Sequence, residues 1–152
     1  MGREIWVWAA VLAALATLGA VRMDAVWGPA GGPVEPAWNR QACAHCGMLL
    51  GDPRFACELR RPDGETLFFD DPGCLLAYEQ GHPGRYREFF HRLHGQGWVE
   101  GVSAAFVGVG RSPMGFGLGC VPVGSAGARP RIWAWERVRA LADARADAGH
   151  RP

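Results

Sequence analysis

The stretch QACAHCGMLL, residues 41–50, places Cys43, His45, Cys46 and Met48 within six positions. Two cysteines at C-x-x-C spacing converge two sulfurs on one point, which suits a metal ion or a disulfide. Thioether sulfur is a poor ligand for zinc and, like thiolate, a good one for Cu(I). Met48 follows Cys46 across the small Gly47, so both sulfurs can face one side of a turn. A second methionine, Met114, sits in SPMGFG, where Pro113 stiffens the loop and Gly115 leaves room beside the sulfur. Either methionine alone reads equally well as core packing. Together with C-x-x-C they make Cys46, Met48 and Met114, with Cys43 and His45, the candidate Cu(I) ligands. For His45 a free surface imidazole fits as well.

Three other chemistries would use the same cysteines. Structural zinc needs a second ligand pair, but Cys57 and Cys74 extend the motif only to C-x2-C-x10-C-x16-C, and His91 and His94 are three apart. A thioredoxin-like dithiol opens a helix after a strand, whereas here a Pro/Gly stretch precedes the motif. A plain disulfide, Cys43–Cys46 or Cys57–Cys74, fits an oxidising compartment but leaves the methionines unexplained. Cys57 and Cys120 fall on expected strands and read as small buried hydrophobes. Cys74 opens an expected helix, where the dipole would lower its pKa, but beside Leu75 and Leu76 burial is the stronger reading. His82, His91, His94 and His150 read as solvated. Asp70 and Asp71 read as a strand end and a helix cap. No catalytic set, phosphate loop or nucleophile elbow is present, so the expectation is a binding protein rather than an enzyme.

The elements that must position these groups follow from periodicity and turn chemistry. RFACELRRPDGETLFFDD alternates Phe55, Cys57 and Leu59 with Ala56, Glu58 and Arg60 around the turn RPDG, which predicts a hairpin with a half-buried first strand. Asp71 as N-cap, Pro72 at the first position and Gly81 at the stop predict a helix over 72–80. Tyr86, Phe89, Phe90 and Leu93 predict a second helix over 85–95. Beyond it, WVEGVSAAFVGVG, GFGLGCVPVG and RIWAW read as strands and ERVRALADARADAG as a helix. The expected fold class is α+β: two small β-β-α units with short antiparallel sheets, residues 39–96 and 97–152.

Residues 5–21, IWVWAAVLAALATLGAV, carry no charge and as a helix would reach roughly 25 Å, near the lower limit for crossing the hydrocarbon core. The preferred reading of residues 1–24 is a retained transmembrane anchor in contact with the lipid bilayer. A cleaved signal is the alternative, with the bulky Leu18 awkward for the cut. Residues 25–38 are rich in Gly and Pro and read as a linker. The folded part then faces the periplasmic side of the inner membrane. A formal charge of +1 without any Lys/Arg run argues against nucleic acid as a partner.

CAHCGM, RFACELRRPDGETLFFDDPGCLLAY and SPMGFG together resemble the NosL-type accessory proteins of nitrous oxide reductase, over roughly residues 40–120. The resemblance implies two small β/α domains, a Cu(I) site built from a motif cysteine and methionine, and a role in copper-centre assembly. Carried over, these are Cys46, Met48 and Met114; Cys43 is a less constant feature. The family is usually tethered as a lipoprotein, and this chain has the apolar segment instead. The expected function is a membrane-tethered Cu(I) chaperone serving a copper-accepting metalloenzyme or its assembly machinery, a membrane transporter complex included. Its rivals are a thiol-disulfide oxidoreductase and a zinc-stapled interaction module.

Overall fold

The computed structural model describes Trp8, residues 31–124 and residues 132–149, the side chains of 144–149 excepted. Apart from Trp8, the expected membrane helix lies outside these residues. Among the described residues no helix is long and apolar enough to cross a membrane.

The hairpin forms as its turn chemistry dictates. β1 (Cys57–Arg60) pairs antiparallel with β2 (Thr66–Phe69), Cys57 opposite Phe69 and Arg60 opposite Thr66. Gly64 turns the chain at φ +90°, a conformation open to glycine. α1 (Pro72–Gly81) starts straight after β2, capped by the Asp71 carboxylate accepting from Gly73 N, with Pro72 in the first turn.

The next stretch departs from its helical spacing. Residues Arg87–His91 form a strand, β3, where a helix over 85–95 was expected. β3 lies between β1 and β4 (Trp98–Glu100), giving an antiparallel sheet of order β2-β1-β3-β4. Backbone pairing along both edges of β3 outweighs a weak helical pattern, and strand geometry sends the adjacent Phe89 and Phe90 to opposite faces. His91 moves with it. Expected in solvent, it is buried, with the rings of Trp38 and Trp98 edge-on at 6.1 and 5.3 Å.

β4 falls where the second unit was expected to open, yet it is an edge of the first sheet. β5 (Ala104–Gly108), β6 (Leu118–Pro122) and β7 (Ile132–Ala134) form a second antiparallel sheet, order β6-β5-β7, followed by α2 (Trp135–Gly149). The architecture is therefore α+β, with two small antiparallel sheets and two helices. One hydrophobic core joins them. Phe90 of β3, Phe106 of β5 and Trp135 of α2 meet pairwise with ring centroids 4.5 to 5.1 Å apart, beside Cys57, Leu59, Phe69 and Leu75.

β1 is buried on both faces rather than one. Cys57 and Leu59 point to the core, while Glu58 and Arg60 pair on the other face at 2.6 Å, both nearly inaccessible to water. What covers them is the stretch expected to be a free linker. Val34 N donates to Glu58 Oε2 at 2.6 Å, Arg60 donates to the carbonyls of Gly31 and Gly32, and Trp98 Nε1 donates to Glu35 Oε1. Over its described part the linker is a strap docked across the first sheet.

Candidate metal centre

CAHCGM is itself a tight hairpin. Cys43 N donates to Met48 O at 2.7 Å, Gly47 N to Cys43 O at 3.0 Å, and Leu50 N to Gln41 O at 2.9 Å. Gly47 sits at φ +76°, so a residue without Cβ is what lets the turn close behind Cys46. Ala44 N donates to Phe68 O at 2.8 Å, which fastens the turn to the end of β2. β2 leads into Asp70, and α1 carries Cys74 in its first turn. Three segments of chain thus meet at one place.

The sulfurs of Cys43, Cys46 and Cys74 and a carboxylate oxygen of Asp70 all lie within 4.8 Å of one another. An ion with bonds of about 2.3 Å to sulfur in tetrahedral geometry holds those sulfurs roughly 3.8 Å apart, so side-chain adjustments of about 1 Å would close the shell. All five cysteines are free thiols, including both pairs that the sequence offers as disulfides. Cys43, Asp70 and Cys74 are buried and Cys46 is partly exposed, so one ligand faces outward.

The electrostatics favour a cation. Asp70 Oδ1 accepts from the Cys46 thiol at 3.6 Å, and Oδ2 is buried with no hydrogen-bond partner among the described residues. A buried carboxylate oxygen without a partner is destabilising unless a proton or an ion satisfies it. Burial pushes the Cys43 thiol up. Burial also lifts the Cys74 thiol well above its usual range, with the neighbouring Asp70 carboxylate adding to the effect. Desolvation therefore outweighs the lowering expected from the helix dipole at Cys74. Both shifts favour the protonated thiol, so binding an ion there would release those protons.

Of the five residues singled out by sequence, Cys43 and Cys46 are in the cluster. His45 and Met114 line an adjoining open cleft of about 300 Å³ together with Gly73, Cys74, Gly115 and Phe116. Cys74 links the two, belonging to the cluster and to the cleft wall. Met48 is about half exposed, and its side chain is not part of that wall. The other two cluster residues, Asp70 and Cys74, carry different roles in the sequence reading. Burial of Cys74 is correct, but its neighbours include two thiols as well as leucines. The available signal was the spacing of Asp70 and Cys74, four apart across a helix start. Cys57 and Cys120 are fully buried as expected, the thiol of Cys120 pushed up to about 12 by its apolar surroundings.

Comparison with known protein families, with curated proteins and with solved structures gives no match to this chain. The site is a three-cysteine, one-aspartate cluster with the composition and spacing to hold a metal ion.

Proposed function

We propose that the protein is an extracytoplasmic, membrane-tethered Cu(I) chaperone that carries the ion on the thiols of Cys43, Cys46 and Cys74. The observation that carries this reading is the convergence of three thiols beside a cleft walled by Met114 and His45. Soft sulfur donors favour Cu(I) over harder ions. Low-coordinate sulfur ligation also permits handover, because an incoming thiolate or thioether can bind before the old ligand leaves. Cys46, the most exposed of the three thiols, is the natural point of exchange. The resemblance of CAHCGM, FFDDPGC and SPMGFG to NosL-type proteins supports copper as the cargo. It also suggests nitrous oxide reductase, or its assembly machinery, as the kind of recipient. In this reading the apolar residues 5–21 are the tether, and the folded part lies on the periplasmic side of the inner membrane.

The test is anaerobic titration of the reduced protein with Cu(I) against a competing chelator, with metal analysis of protein purified when copper and zinc are both supplied. The expected result is one Cu(I) per chain, with affinity falling at least about tenfold in Cys46→Ser and in Cys74→Ser, a change of about 1.4 kcal/mol. Purification with zinc alone, and no Cu(I) retained against the chelator, would sink the copper reading.

One observation favours a second reading. The unpartnered Oδ2 of Asp70 adds a hard oxygen to three thiols, and that set completes a tetrahedral zinc site. In that case Asp70→Asn weakens zinc binding strongly, whereas Cu(I) held by sulfur alone is little affected.

A further inference from the structure

Asp71 stands next to the cluster without belonging to it. It is completely buried, and both of its carboxylate oxygens are in use. Oδ1 accepts from Gly73 N at 2.8 Å, which is the helix cap. Oδ2 accepts from Met114 N at 3.0 Å, a residue 43 positions further along the chain. A cap needs only the first of these bonds. The second ties the loop that carries Met114 to the helix turn that carries Cys74.

A second contact holds the same two pieces. Phe116 lies directly on Gly73, where an added Cβ would come within 2.8 Å of the ring. The close atoms are Cβ, Cγ and Cδ2 of Phe116, near the backbone, so the loop itself would have to move. The loop is already closed on itself, by Gly115 N to Ser112 O at 3.1 Å and Gly117 N to Ser112 Oγ at 2.9 Å. It therefore docks as a preformed unit.

We propose that Asp71 and Gly73 are positioning residues for metal exchange: they lock the Ser112–Gly117 loop onto the start of α1, so that Met114 stays in the cleft wall it shares with Cys74. The purpose of this lock rests on the Cu(I) reading, but the lock itself does not. Asp71→Asn separates the two roles of the side chain. Its amide oxygen can still cap Gly73, but an NH2 then faces the Met114 N–H, donor against donor. Gly73→Ala keeps the carboxylate and instead pushes Phe116 away.

The first measurement is amide hydrogen exchange of the full chain, reduced, metal-free and in detergent. Peptides covering residues 110–118 should exchange about tenfold faster in Asp71→Asn and in Gly73→Ala, as expected for losing a hydrogen bond to a charged group. Unchanged exchange in both variants overturns the proposal, whatever the metal does. Using two variants keeps the test decisive where one of them fails to fold.

The second measurement is Cu(I) affinity by chelator competition on the same samples, in a double-mutant cycle with Met114→Leu. Each single variant should lower affinity by a similar factor, and the double variant should be no weaker than Met114→Leu alone. Additive losses mean that Asp71 acts on the ion by another route, and they overturn the positioning role. If Met114→Leu leaves Cu(I) affinity unchanged while loop exchange accelerates in the other variants, the docking stands and the thioether part of the Cu(I) reading fails.

Discussion

Glu58 and Asp70 are both buried carboxylates of the first sheet and its end, and their surroundings differ in one respect. Around Glu58 every need is met: Arg60 at 2.6 Å on one oxygen and the Val34 amide at 2.6 Å on the other. Burial holds Glu58 above the ordinary carboxylate range, and these two partners pull it back down. Around Asp70, among the described residues, stand weak thiol donors, Cys46 at 3.6 Å among them, and Oδ2 has no hydrogen-bond partner. Burying a charge is tolerated when the fold supplies its partner. Where the fold supplies thiols instead of a cation, the place suits an ion from outside. Glu58 is part of the scaffold, and Asp70 belongs to a cluster with the composition and spacing to hold a metal ion.

The sharpest way to break this contrast is to remove each carboxylate and ask when the protein notices. Glu58→Ala strands Arg60 in a dry place and loosens the strap at Val34. It should lower stability by about 3–5 kcal/mol in urea unfolding, by the same amount with and without metal. A loss below about 1 kcal/mol would show that water reaches this pair and that the strap is not a structural element.

Asp70→Asn should behave in the opposite way. Without metal its effect on urea unfolding should stay within about 1 kcal/mol, because one unpaired charge is removed and only a weak thiol contact is lost. With metal the role of the cluster should appear. An ion at a hundred times its dissociation constant stabilises the native state by about 2.7 kcal/mol. That increment should fall to about 1.4 kcal/mol or less in Cys74→Ser, whose affinity drops at least about tenfold. In Asp70→Asn it should shrink for zinc and stay nearly unchanged for Cu(I) held by sulfur alone, which ranks oxygen against sulfur as a ligand. Equal metal-induced stabilisation in wild type and Cys74→Ser would show that the ion sits elsewhere.

What sequence made legible was whatever depends on near neighbours. The hairpin, its RPDG turn and the Asp71-Pro72 helix start are local, and the structure has them at the expected positions. The stretch 85–95 was misread because Tyr86, Phe89, Phe90 and Leu93 satisfy helical spacing, while the strands that claim β3 lie about 30 residues before it and about 10 after. The described part of the linker, residues 31–38, departs from a free tether for the same reason. Its Gly and Pro content is that of a flexible tether, but a buried ion pair far along the chain supplies acceptors and donors for its backbone. At the site, C-x-x-C was visible and its partners were not. Cys74 and Asp70 join it where the Ala44 amide is bonded to Phe68 of β2, a contact between backbones that no side chain announces.

A third buried carboxylate extends the comparison to pH. Glu79 on α1 is raised to about 7, chiefly by burial, with the Glu88 carboxylate adding to it and Arg139 of α2 opposing it. Arg139 reaches both acids, pairing with Glu79 at 3.1 Å and with Glu88. One guanidinium thus serves two carboxylates, which places Glu79 between the satisfied Glu58 and the unpartnered Asp70. Its folded pKa lies above its unfolded one, so the protonated form favours the native state. That contribution is complete below the ordinary carboxylate value and is lost as pH rises through about 7. Stability from urea unfolding should therefore fall between pH 5 and pH 8, on the order of 1 kcal/mol from this group. Glu79→Gln should remove that slope while leaving the Arg139–Glu88 pair in place. If the slope persists in Glu79→Gln, another group titrates in this window, and Arg139 is enough for both acids.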